Sequence, residues 1–145
     1  MRFFTTTPTA RQIDVGLAIL RIAVGVVFLA HGGQKLFQFG LGGVTEGFGQ
    51  MGIPFPGLTG PLVAIVEFFG GIALVLGLAT RLAALFLAVN MLGAMLFVHL
   101  PAGFFLPSGV EFALTLFAAN LALFFMGPGD YSLDHAISRR RTTAV

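Results

Sequence analysis

Four long apolar segments constrain this chain more than any other feature of its sequence. They run from about 15 to 37, 60 to 79, 82 to 100 and 108 to 126. A transmembrane helix needs about 20 mostly apolar residues, so each segment is long enough to cross a bilayer. The chain is 57% hydrophobic and 10% charged, whereas about 25% of the residues in a soluble domain are charged. We therefore predict an all-α fold, a transmembrane four-helix bundle embedded in the lipid bilayer.

The segments between and beyond these helices predict the domain organisation. We expect a cytoplasmic tail at 1–12, the transmembrane domain at 13–129 and a basic cytoplasmic tail at 130–145. The stretch 38–58, between the first two helices, is rich in glycine but keeps several phenylalanines. Such a composition is typical of a segment at the membrane surface. We expect an interfacial loop there, which could cover a cavity or simply lie at the boundary between lipid and water.

Local signals mark several helix ends. Thr59 can cap the second helix, and Gly77 marks a tight turn into the third. Ser108 and Glu111 have the S-x-x-E spacing of a capping box at the start of the fourth helix, which gives Glu111 a structural explanation. Ser132 can cap a short cytoplasmic helix in the tail.

The distribution of basic residues predicts the orientation. With four spans, both termini lie on one side of the membrane, and Lys35 is the basic residue on the other side. Loops on the cytoplasmic side carry the excess of Lys and Arg, so we expect both termini in the cytoplasm. The residues that favour this orientation are Arg2, Arg11, Arg81, Arg139, Arg140 and Arg141.

The composition excludes several classes of function. The chain has no cysteine, which rules out disulfides, thiolate metal sites and thiol redox chemistry by this chain itself. A net charge of +2 gives no support for a nucleic-acid partner. We find no phosphate-binding loop, zinc ligand set or nucleophile motif and expect no metal.

Polar residues inside the spans are candidate functional residues because burying them in hydrocarbon is costly. At about 1.5 Å of rise per residue, Arg21, Glu67, Asn90 and Asn120 could form one polar layer near the midplane. Other interpretations stay open. Arg21 could extend to the lipid headgroups, and the asparagines could be hydrogen-bonding links between helices.

A glycine stripe supports close packing of the first two predicted helices. At 100° per residue, Arg21, Gly25 and Gly32 share one face of the first helix, and Glu67 shares a face of the second with Gly71. Small residues let helices approach closely in lipid. We therefore expect Arg21 and Glu67 to pair, although such a pair could be purely architectural.

Three further polar residues lie near the outer ends of the helices. His31 and His99 could reach interfacial water or bind a quinone carbonyl. Bis-histidine haem ligation would need both rings face to face across a wide pocket, and two histidines are too weak a signal for us to expect a haem. Lys35 is best explained as an interfacial anchor.

The stretches LRIAVGVVFLAHGGQKLF, GFGQMGIPFPGL, VEFFGGIALVLGLATRLAA and GPGDYSLD together resemble the DoxX family, over about 17–134. The most specific part is the pattern E-x-x-G-G-x-x-L-x-x-G-x-x-x-R that begins at Glu67. The resemblance implies a small four-span inner-membrane protein. Some family members resemble or are subunits of thiosulfate:quinone oxidoreductases, and others are linked to quinone or thiol stress. The charged positions that match the family are Arg21, Lys35, Glu67 and Arg81.

We therefore expect a membrane subunit of a quinone-linked oxidoreductase system. In this hypothesis a cation stabilises the reduced quinone, Glu67 relays a proton, and a redox partner protein supplies the electrons. Whether the chain is itself an enzyme, and whether it forms a homo-oligomer, stays open. The alternatives are a non-catalytic scaffold for a cytoplasmic redox protein, held through the basic tail, and a carrier of small molecules. The candidate ligand-binding residues are Arg21, His31, Lys35, Glu67, Asn90 and His99, and the structural ones are Gly70, Gly71, Gly77, Arg81, Ser108 and Glu111.

Overall fold

The computed structural model describes residues 7–142, with side chains through residue 140, and this part of the chain is helical without strands. Arg2 and the side chain of Arg141, both used to predict the orientation, lie outside the described residues. A π-helical turn, Gln34–Phe39, follows α1, and another, Met95–His99, follows α4 and leads into a short 3₁₀ turn. The helices are α1 (Ala10–Gly33), α2 (Gly40–Gln50), α3 (Pro56–Leu76), α4 (Thr80–Ala94), α5 (Glu111–Met126) and α6 (Leu133–Thr142).

Among the described residues, three helical stretches are long and apolar enough to cross a membrane. They are Ala10–Gln50, Pro56–Leu76 and Thr80–Ala102, and the apolar helix α5 is shorter, at 16 residues. Large apolar side chains such as Ile19 lie exposed on the outside of the bundle. An apolar exterior is the reverse of a soluble fold. The structure is thus a membrane helical bundle built from α1, α3, α4 and α5, as predicted.

The helix α1 begins five residues before the predicted start because a capping box lies upstream. The Thr9 hydroxyl accepts a hydrogen bond from the Gln12 amide, and the Gln12 side chain accepts one from the Thr9 amide. This reciprocal pair satisfies two backbone donors that the first helical turn leaves free. The T-x-x-Q spacing that could have predicted it is visible in the sequence.

The bundle is assembled from two tight helix pairs, α1 with α3 and α4 with α5. A Cβ atom at Gly25 would lie 2.9 Å from the carbonyl oxygen of Gly71, and one at Gly71 would overlap the amide nitrogen of Leu29. Gly32 lies just as close to the backbone of Phe68. The predicted glycine stripe is confirmed, because backbones approach this closely only where side chains are absent.

Gly70 and Arg81 serve two other helix contacts. A Cβ atom at Gly70 would lie 3.1 Å from Cγ of Leu87, so this glycine brings α3 against α4. The Arg81 guanidinium lies against the end of α5, where a Cβ atom at Gly127 would be 3.1 Å from its Nε. Both residues were predicted as structural.

The turn from α3 to α4 is as tight as predicted, and α6 holds it in place. Gly77 and Ala79 adopt left-handed backbone conformations, with φ of 69° and 47°. The carboxylate of Asp134 accepts hydrogen bonds from the amides of Ala79 at 2.7 Å and Thr80 at 2.9 Å. Asp134 therefore caps α4 from a distant part of the chain. The dipole of α4 stabilises the negative charge of this carboxylate at the helix N-terminus.

The predicted cap of α3 is wrong. The helix begins at Pro56, a turn earlier than the predicted N-terminus, and the Thr59 hydroxyl donates to the carbonyls of Pro54 and Phe55, each at 3.1 Å. Proline suits the first helical position because its fixed φ matches the helix. Pro56 rather than Thr59 therefore defines this end.

The predicted capping box of Ser108 and Glu111 is also wrong. The helix α5 begins at Glu111 without a side-chain cap. The Glu111 carboxylate instead accepts a hydrogen bond from the amide of Leu106, at 2.7 Å, and closes the preceding loop. Glu111 still has a structural role, but its carboxylate reaches five residues back instead of three.

The glycine-rich stretch that we expected to be a loop contains the helix α2. Val44 is buried against α3, where a Cβ atom at Gly60 would lie 3.3 Å from Cγ1 of Val44. Glycine lowers helix propensity by about 1 kcal/mol relative to alanine, which is why the sequence favoured a loop. Packing of Val44 on Gly60 is a tertiary contact that overrides this local preference.

The start of α1 and the segment before α6 meet at one end of the bundle, which we call the terminal end. The amide of Asp130 donates to the carboxylate of Asp14 at 3.2 Å. As predicted, Ser132 caps α6, because its hydroxyl accepts from the amide of His135 at 3.2 Å. The described chain thus begins and ends on the same side of the bundle.

We predict that the terminal end faces the cytoplasm. A green fluorescent protein fused to the C-terminus should then be fluorescent, and alkaline phosphatase fused there should be inactive because its disulfides form only outside the cytoplasm. The same reporters inserted at 103–109 should give the opposite pattern. Active phosphatase at the C-terminus would contradict this orientation.

We predict that Gly71→Ala destabilises the bundle and that Gly16→Ala does not. An added methyl at Gly71 overlaps the backbone of α1, whereas nothing lies within 4 Å of a Cβ atom at Gly16. Overpacking costs about 1–3 kcal/mol, while alanine in an open helical position stabilises by up to about 1 kcal/mol. Denaturant unfolding in one detergent compares the two variants. Equal midpoints would show that the close approach contributes nothing to stability.

Candidate functional site

A cavity of about 630 Å³ lies between the two helix pairs, at the end opposite the terminal end. Pockets that hold small ligands have volumes of about 300–1,000 Å³ and mostly apolar walls. The walls here are mainly Phe, Val, Leu and Met side chains, contributed by α1, α3, α4 and α5 and by the segment that includes α2. The polar side chains on the cavity wall are His31, Lys35, Thr59, Glu67, Asn90 and His99.

Three of these polar residues form one connected group, which we call the Glu67 cluster: Lys35, Glu67 and Asn90. Nζ of Lys35 lies 2.5 Å from Oε2 of Glu67, and Nδ2 of Asn90 donates to Oε1 at 3.0 Å. Glu67 is only 4% exposed, so its charge needs these partners. The cluster joins three segments of the bundle, because each residue comes from a different one.

The packing of α1 on α3 explains how Lys35 reaches Glu67. Gly32 lies against the backbone at Glu67 and Phe68, which brings the next turn of the chain beside the carboxylate. Lys35 sits in the π-helical turn that begins at Gln34. Such turns change the direction of the following side chains and occur frequently at functional sites. Lys35 is therefore a partner of the buried carboxylate, in addition to lying near the outer end of the helix.

The predicted pair of Arg21 and Glu67 is wrong. Arg21 is buried, and its Nη1 donates to the carbonyls of Leu74 at 2.6 Å and Val75 at 3.0 Å. Its Nη2 donates to the carbonyl of Tyr131 at 2.6 Å. Leu74 lies about 10 Å along α3 from Glu67 on the helical rise per residue. Arg21 thus belongs to the terminal end and does not line the cavity.

Two physical causes direct Arg21 to the end of α3. The last carbonyls of a helix lack intrahelical partners and carry the negative end of its dipole, so a cation is stabilised there. Helical side chains also lean toward the N-terminus of their own helix, which for α1 is the terminal end. Gly77 leaves room for the guanidinium, since a Cβ atom there would overlap Nη1 of Arg21.

The two histidines line the cavity at its rim. His31 is exposed, with its ring centroid 6.4 Å from that of Phe112. Nδ1 of His99 lies 2.9 Å from the carbonyl oxygen of Ser108. Since that oxygen can only accept, His99 donates from Nδ1, and its Nε2 is an acceptor when the ring is neutral. Within residues 7–142 we find no group of three or more His, Asp or Glu that could hold a metal ion.

The structure brings most of the predicted ligand-binding residues to one place. Of the six, Arg21 is absent from the cavity wall. The expected midplane layer is therefore divided, and Asn120 forms no part of the cavity either. Its Nδ2 donates to the carbonyl of Leu116 at 2.8 Å, while its Oδ1 is buried without a partner in the described structure. The residues that line the cavity are His31, Lys35, Glu67, Asn90 and His99.

Sequence reasoning missed the contribution of the α2 segment to the cavity wall. Phe48, Met51 and Ile53 line the cavity from this segment. The apolar residues within the glycine-rich stretch could have predicted this contribution, but they led only to the expectation of a loop that could cover a cavity. Their positions on the wall follow from the packing of α2 on α3.

The arrangement can perform two elementary chemical tasks. An ammonium group in an apolar cavity can donate a hydrogen bond to an oxygen that becomes negatively charged, and this interaction is stronger there than in water. A carboxylate beside it can accept a proton or transfer one. The Glu67 cluster therefore suits a ligand with an oxygen atom that gains electrons and protons.

Comparison with known proteins identifies relatives of similar length. A family model described as DoxX matches residues 16–100. The Bacillus subtilis protein named "Putative oxidoreductase CatD" is 33% identical over 113 residues, which cover 78% of this chain and 81% of that protein. "Inner membrane protein YqjF" of Escherichia coli is 35% identical over 133 residues, 88% of this chain and 95% of its own. "Inner membrane protein YphA" of the same species is 31% identical over 138 residues, 87% and 97%. No solved structure matches the chain.

We predict that Lys35→Met lowers the free energy of unfolding by about 3–5 kcal/mol, because removing one partner leaves a buried charge uncompensated. The double variant Lys35→Met/Glu67→Leu should unfold near the wild-type midpoint, since no charge then remains buried. Denaturant unfolding in a single detergent measures both effects.

A matched control for this prediction is Glu46→Gln. Glu46 is exposed on α2, and its carboxylate accepts a hydrogen bond from Nε2 of Gln50 at 3.3 Å. Loss of this surface carboxylate should change the unfolding midpoint little. If Lys35→Met behaves like this control, the Glu67 cluster does not stabilise the fold.

Proposed function

This chain belongs to the DoxX family of membrane proteins, and from that premise we propose that it is an inner-membrane subunit of a quinone-linked oxidoreductase system. In this proposal the cavity holds a quinone or a similar aromatic molecule. The observation that carries the proposal is the Glu67 cluster, a paired ammonium and carboxylate on the wall of a largely apolar cavity. Aromatic walls suit a planar ring, and the cluster suits its oxygen atoms.

The chemistry of quinone reduction fits the two charged groups. A quinone takes up two electrons and two protons to become a hydroquinone. Lys35 donates a hydrogen bond to one ring oxygen and stabilises the negative charge that reduction places there. Glu67, ionised in its pair with Lys35, takes up a proton from water and passes it to this oxygen, while the second proton comes from water at the other ring oxygen. Asn90 keeps the carboxylate oriented through its 3.0 Å hydrogen bond.

The electrons come from a partner protein in this proposal. The chain contains no cysteine and so has no thiol to supply them, and we propose a separate redox protein as the donor. Support comes from the name of the Bacillus subtilis relative, which suggests an oxidoreductase. The inner-membrane location is supported by the names of the Escherichia coli relatives.

A second candidate is a membrane scaffold for a cytoplasmic redox protein. The helix α6 favours it, because Asp134 fixes this helix to the bundle and its exposed residues include Arg139 and Arg140. Deleting residues 139–145 should abolish co-purification of the partner if the scaffold role is correct. Retained co-purification would exclude that role for the tail.

Quinone binding by the purified protein tests the first candidate. We expect small molecules extracted from the membrane-purified protein to include a quinone, identified by mass spectrometry. We also expect the double variant Lys35→Met/Glu67→Leu to bind added ubiquinone about 10- to 100-fold more weakly, since a charge-assisted hydrogen bond contributes about 1.5–3 kcal/mol.

The variant Glu46→Gln removes a carboxylate outside the cavity and should bind ubiquinone as the wild type does. A preparation without quinone, together with equal affinities for the wild type and the double variant, would contradict the proposal.

A further inference from the structure

The wall of the cavity differs between its sides. At the end opposite the terminal end, the α2 segment lines the cavity with the apolar side chains of Phe48, Met51 and Ile53. On the side of α3 and α4, the cavity wall includes its most exposed large apolar residues, whereas Met51 and Phe112 on the other sides are 46% and 43% exposed. Leu62 is 54% exposed and Val89 is 59% exposed.

The geometry of α3 and α4 explains this difference. The two helices are joined by the tight turn at Gly77 and meet where Leu87 packs on Gly70. The part of α3 from Thr59 to Glu67 and the part of α4 from Phe86 onward both line the cavity. In the half of the bundle away from the Gly77 turn, the cavity therefore extends between α3 and α4.

The residues at this side share one chemical character. The apolar residues that line the cavity here are 48–59% exposed: Leu62, Phe86, Val89 and Phe97. In a transmembrane helix an exposed apolar surface faces lipid chains. By contrast, the polar groups of the Glu67 cluster are buried or half-buried inside the cavity.

We infer that the cavity opens toward the bilayer between α3 and α4, and that its ligand is an amphiphile with a hydrocarbon tail. The polar ring lies at the Glu67 cluster, and the tail leaves through the opening between Leu62 and Val89 into the lipid. This inference rests on the proposed function and specifies its ligand class, a prenylated quinone rather than a small water-soluble one.

The physical argument concerns where each part of the ligand is solvated. Transfer of each CH₂ group out of water is favourable, so a long tail stays in hydrocarbon. An opening lined by apolar side chains leaves the tail there while the head reaches hydrogen-bonding partners. The affinity for a ligand without a tail should not depend on the opening, whereas the affinity for a ligand with a tail should.

The test narrows the opening without touching the Glu67 cluster. Val89→Trp places a large ring at the opening, and Val26→Trp places the same ring on α1 at a residue that is 52% exposed and absent from the cavity wall. The probes are a ubiquinone with two isoprenoid units and the same ring without a tail. Affinities are measured by equilibrium binding to the full chain in one detergent.

We expect Val89→Trp to weaken binding of the tailed quinone about tenfold, equivalent to about 1.4 kcal/mol, and to leave binding of the tail-less ring unchanged. Val26→Trp should change neither affinity. Leu62→Trp narrows the same opening from α3 and replaces Val89→Trp if that variant does not fold.

Two results would overturn the inference, and they have different consequences. If blocking the opening leaves the tailed quinone bound as tightly as before, or weakens both probes equally, the opening does not accommodate a tail. The proposed function then stands, provided that the wild type binds the tail-less ring through the Glu67 cluster. If the wild type binds neither probe, the proposed function fails as well.

Discussion

The close approach of α1 and α3 positions the polar groups in the interior of this bundle. Gly25, Gly32 and Gly71 bring the two backbones into contact, and this contact fixes how far one helix is shifted along the other. The shift places Arg21 beside the last carbonyls of α3 and Lys35 beside Glu67. A different register would leave a cation and a carboxylate without partners, at high cost in a medium with little water.

The two ends of the bundle consequently have different roles. At the terminal end, Arg21 and Asp134 satisfy backbone groups: the carbonyls at the end of α3 and the amides at the start of α4. These contacts use both side chains for architecture. At the other end, the ammonium of Lys35 and the carboxylate of Glu67 satisfy each other on the wall of a cavity. A ligand in the cavity can form hydrogen bonds with this ammonium and this carboxylate in place of their bond to each other. The proposed function is therefore based on this pair.

The errors in the predictions from sequence have a common cause. Helical periodicity correctly indicated which face of α1 packs on α3, but it carries no information about the axial shift between two helices. The expected pair of Arg21 with Glu67 required a shift that the glycine contacts do not allow. Local helix propensity likewise favoured a loop at residues 40–50. Propensity takes no account of tertiary contacts such as the burial of Val44 on α3. The caps assigned to Thr59 and Ser108 failed since neighbouring residues offered other hydrogen-bonding partners.

The sequence by itself determined the environment and the building blocks of this protein. Apolar segments of about 20 residues require a bilayer, and glycines at helical spacing mark the face along which helices approach. The five polar residues His31, Lys35, Glu67, Asn90 and His99 could also be named in advance as candidates. Only the tertiary structure decided that Lys35 pairs with Glu67, that Arg21 does not join them, and that the segment from Phe48 to Ile53 lines the cavity. The physical reason is that hydrogen bonds and ion pairs depend on distances of a few ångströms between side chains, and such distances are fixed only when the helices have packed.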